Sequence, residues 1–124
     1  MKKVVVTGLG AVTAIGATIP DFWDNLVNGK CGMKKITRIS VEEHDTTVAA
    51  EVDEAYQTEV SKYWKKRQLS STTASAQFGL ASAGEAVTDC GVDMTAYDPS
   101  KVGVIFGVIG TVYEDAEREK KNNI

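Results

Sequence analysis

The chain has 124 residues, with 14 basic and 17 acidic side chains and a formal net charge of -3. Its hydrophobic share of 43% and charged share of 25% are ordinary for a folded globular protein, so intrinsic disorder is excluded, and the length fits one small domain or a piece of a larger one. The slight acidic excess argues against a dedicated nucleic-acid binder, and no apolar run approaches the roughly 20 residues that a bilayer span needs.

Met1 to Gly8 begins like a secretory leader, but the apolar stretch breaks at Gly8 and Gly10 and no clear cleavage site follows. A cytoplasmic protein is expected. Val4-Val5-Val6-Thr7 is a short β-branched run, the pattern of a strand buried on both faces. Gly8 to Gly16 reads as a small-residue loop. Pro20-Asp21 opens a helix over about Phe22 to Asn28, stopped by Gly29. Gly29 to Asp45 reads as irregular, with Ile36 and Ile39 as anchors, and Thr47 to Val52 as a second strand.

From Glu54 to Leu69, Tyr56, Val60, Tyr63 and Trp64 are spaced like one face of a helix or of two short helices. Thr72 to Cys90 is the best helix signal, with a face of small residues (Ala76, Leu80, Ala83, Ala86, Val87) and with Gly79 and Gly84 inside it. A glycine within a helix costs about 1 kcal/mol against alanine, so two of them predict close packing against another element. Gly91 supplies the stop. Val102 to Gly107 reads as a third strand, apolar enough for the middle of a covered sheet, and Tyr113 to Lys121 as a charged helix or frayed end. This order is α/β, and two interior-type strands in so short a chain predict a fragment of a bigger sheet.

Chemistry is harder to place. Gly8-Leu9-Gly10 lacks the third glycine of a dinucleotide fingerprint, since Thr13 stands there and the helix signal waits until Pro20. Cys31 sits in a loop, and Cys90 at a helix C-terminus, where the dipole disfavours a thiolate. With the single His44 among acidic neighbours, these residues make neither a Cys-His pair nor a metal site, and free thiols are expected. Lys62, Lys65, Lys66 and Arg67 form the one basic cluster. It is either a solvated helix face or a dock for an acidic partner.

Taken in order, several segments resemble the elongating β-ketoacyl synthases of fatty-acid and polyketide synthesis. Val4 to Gly16 is close to that family's opening VVVTGLGxVxxxG, and Phe22-Trp23-Asp24-Asn25-Leu26-Val27-Asn28-Gly29-Lys30-Cys31-Gly32 to its FWxxLxxGxSGI. Thr37-Arg38-Ile39, Ala49 to Val52, Gln77 to Val92 and Val102 to Gly107 fall where the family has its later elements. The resemblance spans essentially the whole chain, and its opening segment is the most specific part.

What the resemblance implies is a thiolase fold, with residues 1–124 forming the N-terminal part of one layered α-β-α half-domain. It implies an acyltransferase that condenses an acyl thioester with malonyl-carrier protein by decarboxylative Claisen condensation. The nucleophilic cysteine and two histidines of the family lie beyond residue 124 in the pattern, so this chain alone is expected to be inactive and no catalytic residue is assigned in it. No cofactor is implied beyond the phosphopantetheine on which a carrier protein holds the substrates. The implied partners are an acyl carrier protein and a second synthase-like subunit, as homodimer or heterodimer.

Two departures from the family pattern bear on sites. Thr72-Thr73-Ala74-Ser75 replaces a Met-Asp-basic-aromatic stretch, leaving Lys65, Lys66 and Arg67 just upstream as the candidate carrier-protein dock. The glycine-rich turn after the third strand is one residue shorter, and Ile109 is the best match to the family's acyl-pocket isoleucine, or else simple core. These departures admit a rival reading, a non-catalytic chain-length-factor-like subunit. A free-standing binding domain is a third and weaker one.

Overall fold

A computed structural model of the chain describes residues 3–42 and 44–108. Helix α1 spans Ile19–Val27 and starts three residues earlier than the sequence pattern suggests. The reason is Thr18, whose side chain accepts a hydrogen bond from the Asp21 N–H at 3.3 Å and so satisfies one of the helix's orphan donors. Pro20 and Asp21 complete a favourable first turn. The chain leaves the helix through Gly29 at φ +69°, the left-handed region that glycine enters without steric penalty.

Strands β1 (Lys34–Lys35) and β2 (Val48–Ala49) pair antiparallel, with Lys34 opposite Ala49 and Lys35 opposite Val48. Ile36 N–H extends the ladder to the Thr47 carbonyl at 3.0 Å. So the segment expected to be irregular carries half of the small sheet. Beside it, the Glu51 carboxylate accepts from Thr37 Oγ1 at 2.7 Å and from the Thr37 and Arg38 amides at 3.1 Å. These bonds, the Thr37 hydroxyl foremost, hold that carboxyl below its ordinary range.

The expected pair of short helices is present as α2 (Tyr56–Ser61) and α3 (Lys66–Leu69), followed by α4 (Ala74–Cys90). Thr73 caps α4 by accepting from Ala76 N–H at 3.3 Å, and Gly91 at φ +62° ends it. The core is where α2 meets α4. Val60 is wholly buried, Tyr56 and Ala81 nearly so, and the Tyr56 and Phe78 rings meet edge to face at 4.7 Å. Ala81, absent from the face read off the sequence, is the residue of α4 that is buried, whereas Ala76 and Val87 of that face are exposed.

Both in-helix glycines are explained by neighbours. A Cβ at Gly84 would lie 2.3 Å from the Tyr63 ring, and one at Gly79 would lie 3.2 Å from Phe106. The opening segment crosses α4 still more closely. A Cβ on Gly8 would stand 2.1 Å from the Ala86 carbonyl oxygen, and one on Gly10 would stand 1.9 Å from that of Ser82.

Two sequence expectations require correction. Val4–Thr7 and Val102–Gly107 belong to no strand, and their side chains are open to solvent, with Val4 96% and Ile105 97% exposed. A strand exists only through its ladder, and among the described residues neither segment has a neighbour to bond. The architecture is therefore helical with a small antiparallel sheet, which is compatible with part of an α/β domain. No helix among the described residues is long and apolar enough to cross a membrane.

Candidate functional site

Lys65, Lys66 and Arg67 come together on and just before α3, all exposed. A four-residue helix is far below the length that is stable by itself, so its shape must be imposed. Local sequence does much of this. The last carbonyls of such a turn lack helical partners, and the run Ser70-Ser71-Thr72 supplies them. Ser70 Oγ donates to the Arg67 carbonyl, Ser71 Oγ to that of Gln68 and Thr72 Oγ1 to that of Leu69, each at 2.9 Å. At the other end, the Gln68 side-chain oxygen accepts from Lys65 N–H at 3.2 Å.

From α4, the Gln77 amide reaches back across this turn. Its Nε2 donates to the Leu69 carbonyl at 3.0 Å, with longer contacts to Thr72 Oγ1 at 3.3 Å and the Thr72 carbonyl at 3.4 Å. Gln77 is half-buried. No periodicity or charge pattern marks a glutamine in a small-residue helix, so sequence reasoning missed it. The run of three hydroxyl residues was the available signal.

Lys62 separates from the other three cations. Its ammonium pairs with Glu59 at 2.5 Å, and that hydrogen bond raises its pKa above the ordinary lysine value. The Glu59 carboxylate neutralises this charge locally. Lys65, Lys66 and Arg67 have no ion-pair partner among the described residues, so their field is directed to solvent.

Next to Lys62 lies an open cleft of about 760 Å³ between α1, α2 and α4, lined in part by Leu9, Ile19, Tyr63 and Thr88. Its floor carries a second clasp. Glu85 accepts from the Ala11 amide at 3.0 Å and the Ile19 amide at 2.7 Å, and Asp89 accepts from the Leu9 amide at 2.9 Å. Two carboxylates at i and i+4 share one helix face and here bind the loop that precedes α1. Ile19 is the first residue of α1, so Glu85 also meets that helix's positive end. This clasp too went unread in the sequence, although the acidic spacing was visible.

Of the remaining candidates, Ile109 lies outside the described residues. Cys31 is exposed in its loop, and Cys90 Sγ–H is directed to the Val87 carbonyl at 3.0 Å. Among the described residues no three His, Cys, Asp or Glu side chains are grouped to hold a metal ion. The geometry thus offers an exposed cationic turn and, apart from it, a largely apolar cleft edged by Glu59, Glu85, Asp89 and Lys62.

Comparison with known proteins identifies the family. Residues 1–124 match the family model described as Beta-ketoacyl synthase, N-terminal domain, and the chain belongs to that family. It is 34% identical over 106 residues to 3-oxoacyl-[acyl-carrier-protein] synthase 2 of Coxiella burnetii (strain RSA 493 / Nine Mile phase I), a match covering 86% of this chain and 25% of that protein. Proteins of the same name from Staphylococcus aureus (strain COL) and Synechocystis sp. (strain ATCC 27184 / PCC 6803 / Kazusa) are 30% and 27% identical, with the same coverage. The chain spans about a quarter of the length of these curated relatives.

Proposed function

We propose that residues 1–124 are the N-terminal part of a β-ketoacyl-[acyl-carrier-protein] synthase, an acyltransferase that joins an acyl thioester to malonyl-carrier protein with loss of carbon dioxide. The observation that carries this reading is the family match over the whole chain, together with relatives named as 3-oxoacyl-[acyl-carrier-protein] synthases. The exposed apolar segments at Val4–Thr7 and Val102–Gly107 support a place within a larger layered α-β-α sheet of the thiolase type. In this reading the nucleophilic cysteine and the two histidines that complete the reaction belong to residues beyond 124. A thiolate attacks the acyl thioester, polar donors stabilise the oxyanion that develops, and its collapse breaks the bond to the carrier's phosphopantetheine sulfur, which leaves as the thiol.

This part of the chain contributes recognition. Lys65, Lys66 and Arg67 meet an acidic acyl carrier protein, whose phosphopantetheine brings the substrates, so no cofactor of the synthase itself is needed. Charge complementarity of this kind raises the encounter rate more than it raises final affinity. The complete protein works in the cytoplasm as a dimer with a second synthase-like subunit.

The test is condensation of acyl- and malonyl-carrier protein by the purified complete protein, followed as 3-oxoacyl product. Turnover that disappears when the nucleophilic cysteine is replaced by alanine is the expected result. Absence of turnover in the complete protein overturns the reading. Activity appearing only when a second, cysteine-bearing subunit is added assigns the chain to a non-catalytic, chain-length-setting role instead.

A further inference from the structure

We infer that Gln77 is a positioning residue for carrier-protein recognition: from helix α4 it sets the orientation of the cationic turn at Lys65–Arg67. The inference rests on the docking role proposed above for that turn and adds a residue that carries no charge and need not touch the partner.

The argument begins with what the turn lacks. Helix α3 has four residues and none of them is buried, so neither helical cooperativity nor a core holds it in place. The three hydroxyl bonds from Ser70, Ser71 and Thr72 are all to carbonyls three residues earlier. They fix the turn's internal shape without fixing its direction relative to the rest of the molecule. The Gln77 amide contributes to the second job, because it projects from the 17-residue helix α4, which is anchored by the Tyr56, Val60 and Ala81 core.

Its strongest bond, 3.0 Å to the Leu69 carbonyl, falls on the final residue of α3, whose carbonyl also accepts from the Thr72 amide at 3.1 Å and from Thr72 Oγ1 at 2.9 Å. Leu69 is thus the junction where the local and the long-range bonds meet. Three cations on a turn held in one orientation present a fixed pattern to carboxylates, whereas the same cations on a loose turn must be ordered during binding. The apparent dissociation constant rises in proportion as the competent orientation is depopulated. A net hydrogen bond of typical strength is worth roughly a fivefold population change.

The experiment uses the complete synthase and four forms of it: wild type, the triple Lys65→Ala, Lys66→Ala, Arg67→Ala variant, Gln77→Met and Thr72→Val. Initial condensation rates are measured against acyl carrier protein concentration, and separately with the same acyl group on a small thioester that lacks the carrier protein. Methionine keeps the length of glutamine and removes its amide. Gln77→Met is expected to raise KM for acyl carrier protein by roughly fivefold while kcat at saturation moves much less, in the same direction as a larger rise in the triple variant.

A raised KM in the triple variant with an unchanged one in Gln77→Met overturns the positioning role and leaves the docking role standing. An unchanged KM in the triple variant removes the docking role, and the inference falls with it. Equal losses for Gln77→Met on carrier-borne and small thioesters show a general structural defect and also overturn the inference. Should Gln77→Met fail to fold, Thr72→Val decides. It removes the hydroxyl that bonds Leu69 and meets Gln77, and is expected to raise KM about twofold; no rise counts against the proposal.

Discussion

Replacing Gly10 by alanine tests the glycine with the least room for a Cβ among the described residues. The added methyl carbon would stand 1.9 Å from the Ser82 carbonyl oxygen, where an ordinary contact is at least 3.4 Å. The obstacle is helix backbone, which cannot rotate aside as a side chain can, so the opening segment must retreat by about 1.5 Å. That retreat breaks the Ala11 amide's 3.0 Å bond to Glu85. A hydrogen bond to a charged acceptor contributes about 1.5–3 kcal/mol, and alanine returns about 0.4–1 kcal/mol by restricting the unfolded chain. The bond from Leu9 to Asp89 is solvent-exposed and adds little to the stability of the loop. A net local loss of about 1.5 kcal/mol corresponds to roughly twelvefold faster amide exchange at Ala11. The assay is hydrogen exchange read at that amide by NMR or by mass spectrometry of fragments covering residues 8–19. Gly103→Ala is the control, since a methyl there meets nothing within 4 Å. Exchange at Ala11 within about threefold of wild type in Gly10→Ala would refute the reasoning that backbone contact fixes this loop.

Thr73→Ala removes the cap of α4 and is expected to lower stability by about 1 kcal/mol, with faster exchange at the Ala76 amide; Thr73→Ser should restore most of it. Glu51 makes the link between β2 and the Thr37-Arg38 segment pH-dependent. Its folded pKa lies below the ordinary value of 4.5, so its bonds add stability above that pH and lose it as pH falls through the depressed folded value. Carboxyl NMR titration of Glu51 checks this, and a midpoint at or above 4.5 would contradict the hydrogen bonds to Thr37 and Arg38.

Local signals were legible in the sequence wherever one segment carried the whole cause. Helix α4 shows this, with its small residues and its glycine stop, and so does α2, whose buried Tyr56 and Val60 lie on the face read from their spacing. The close packing inferred from Gly79 and Gly84 was also legible, because only a near neighbour accounts for two glycines inside a helix. Pairing was not legible in the same way. Val4–Thr7 and Val102–Gly107 have strand composition, yet the described residues offer them no ladder, while the two polar residues of β1 pair because Val48 and Ala49 lie opposite. The cationic turn was visible as charge, but its division by Glu59 was not, since pairing across one helical turn depends on which rotamers meet. Gln77, Glu85 and Asp89 act through backbone groups 5 to 80 residues away, and no spacing rule encodes a partner that only the tertiary fold supplies.

The clasp between α4 and the opening loop also bears on the order of assembly. The Tyr56 and Phe78 rings that join α2 to α4 are 22 residues apart in the chain, whereas Leu9 and Asp89 are 80 residues apart. Closing the longer loop costs on the order of 1 kcal/mol more in chain entropy, and contacts of that kind form after local ones have made them affordable. The α2–α4 pair is therefore the natural nucleus, and the glycine segment settles onto a helix that already exists. A ribosome delivers those glycines before the helix they rest on, so they wait for Ala74–Cys90 before they find their seat.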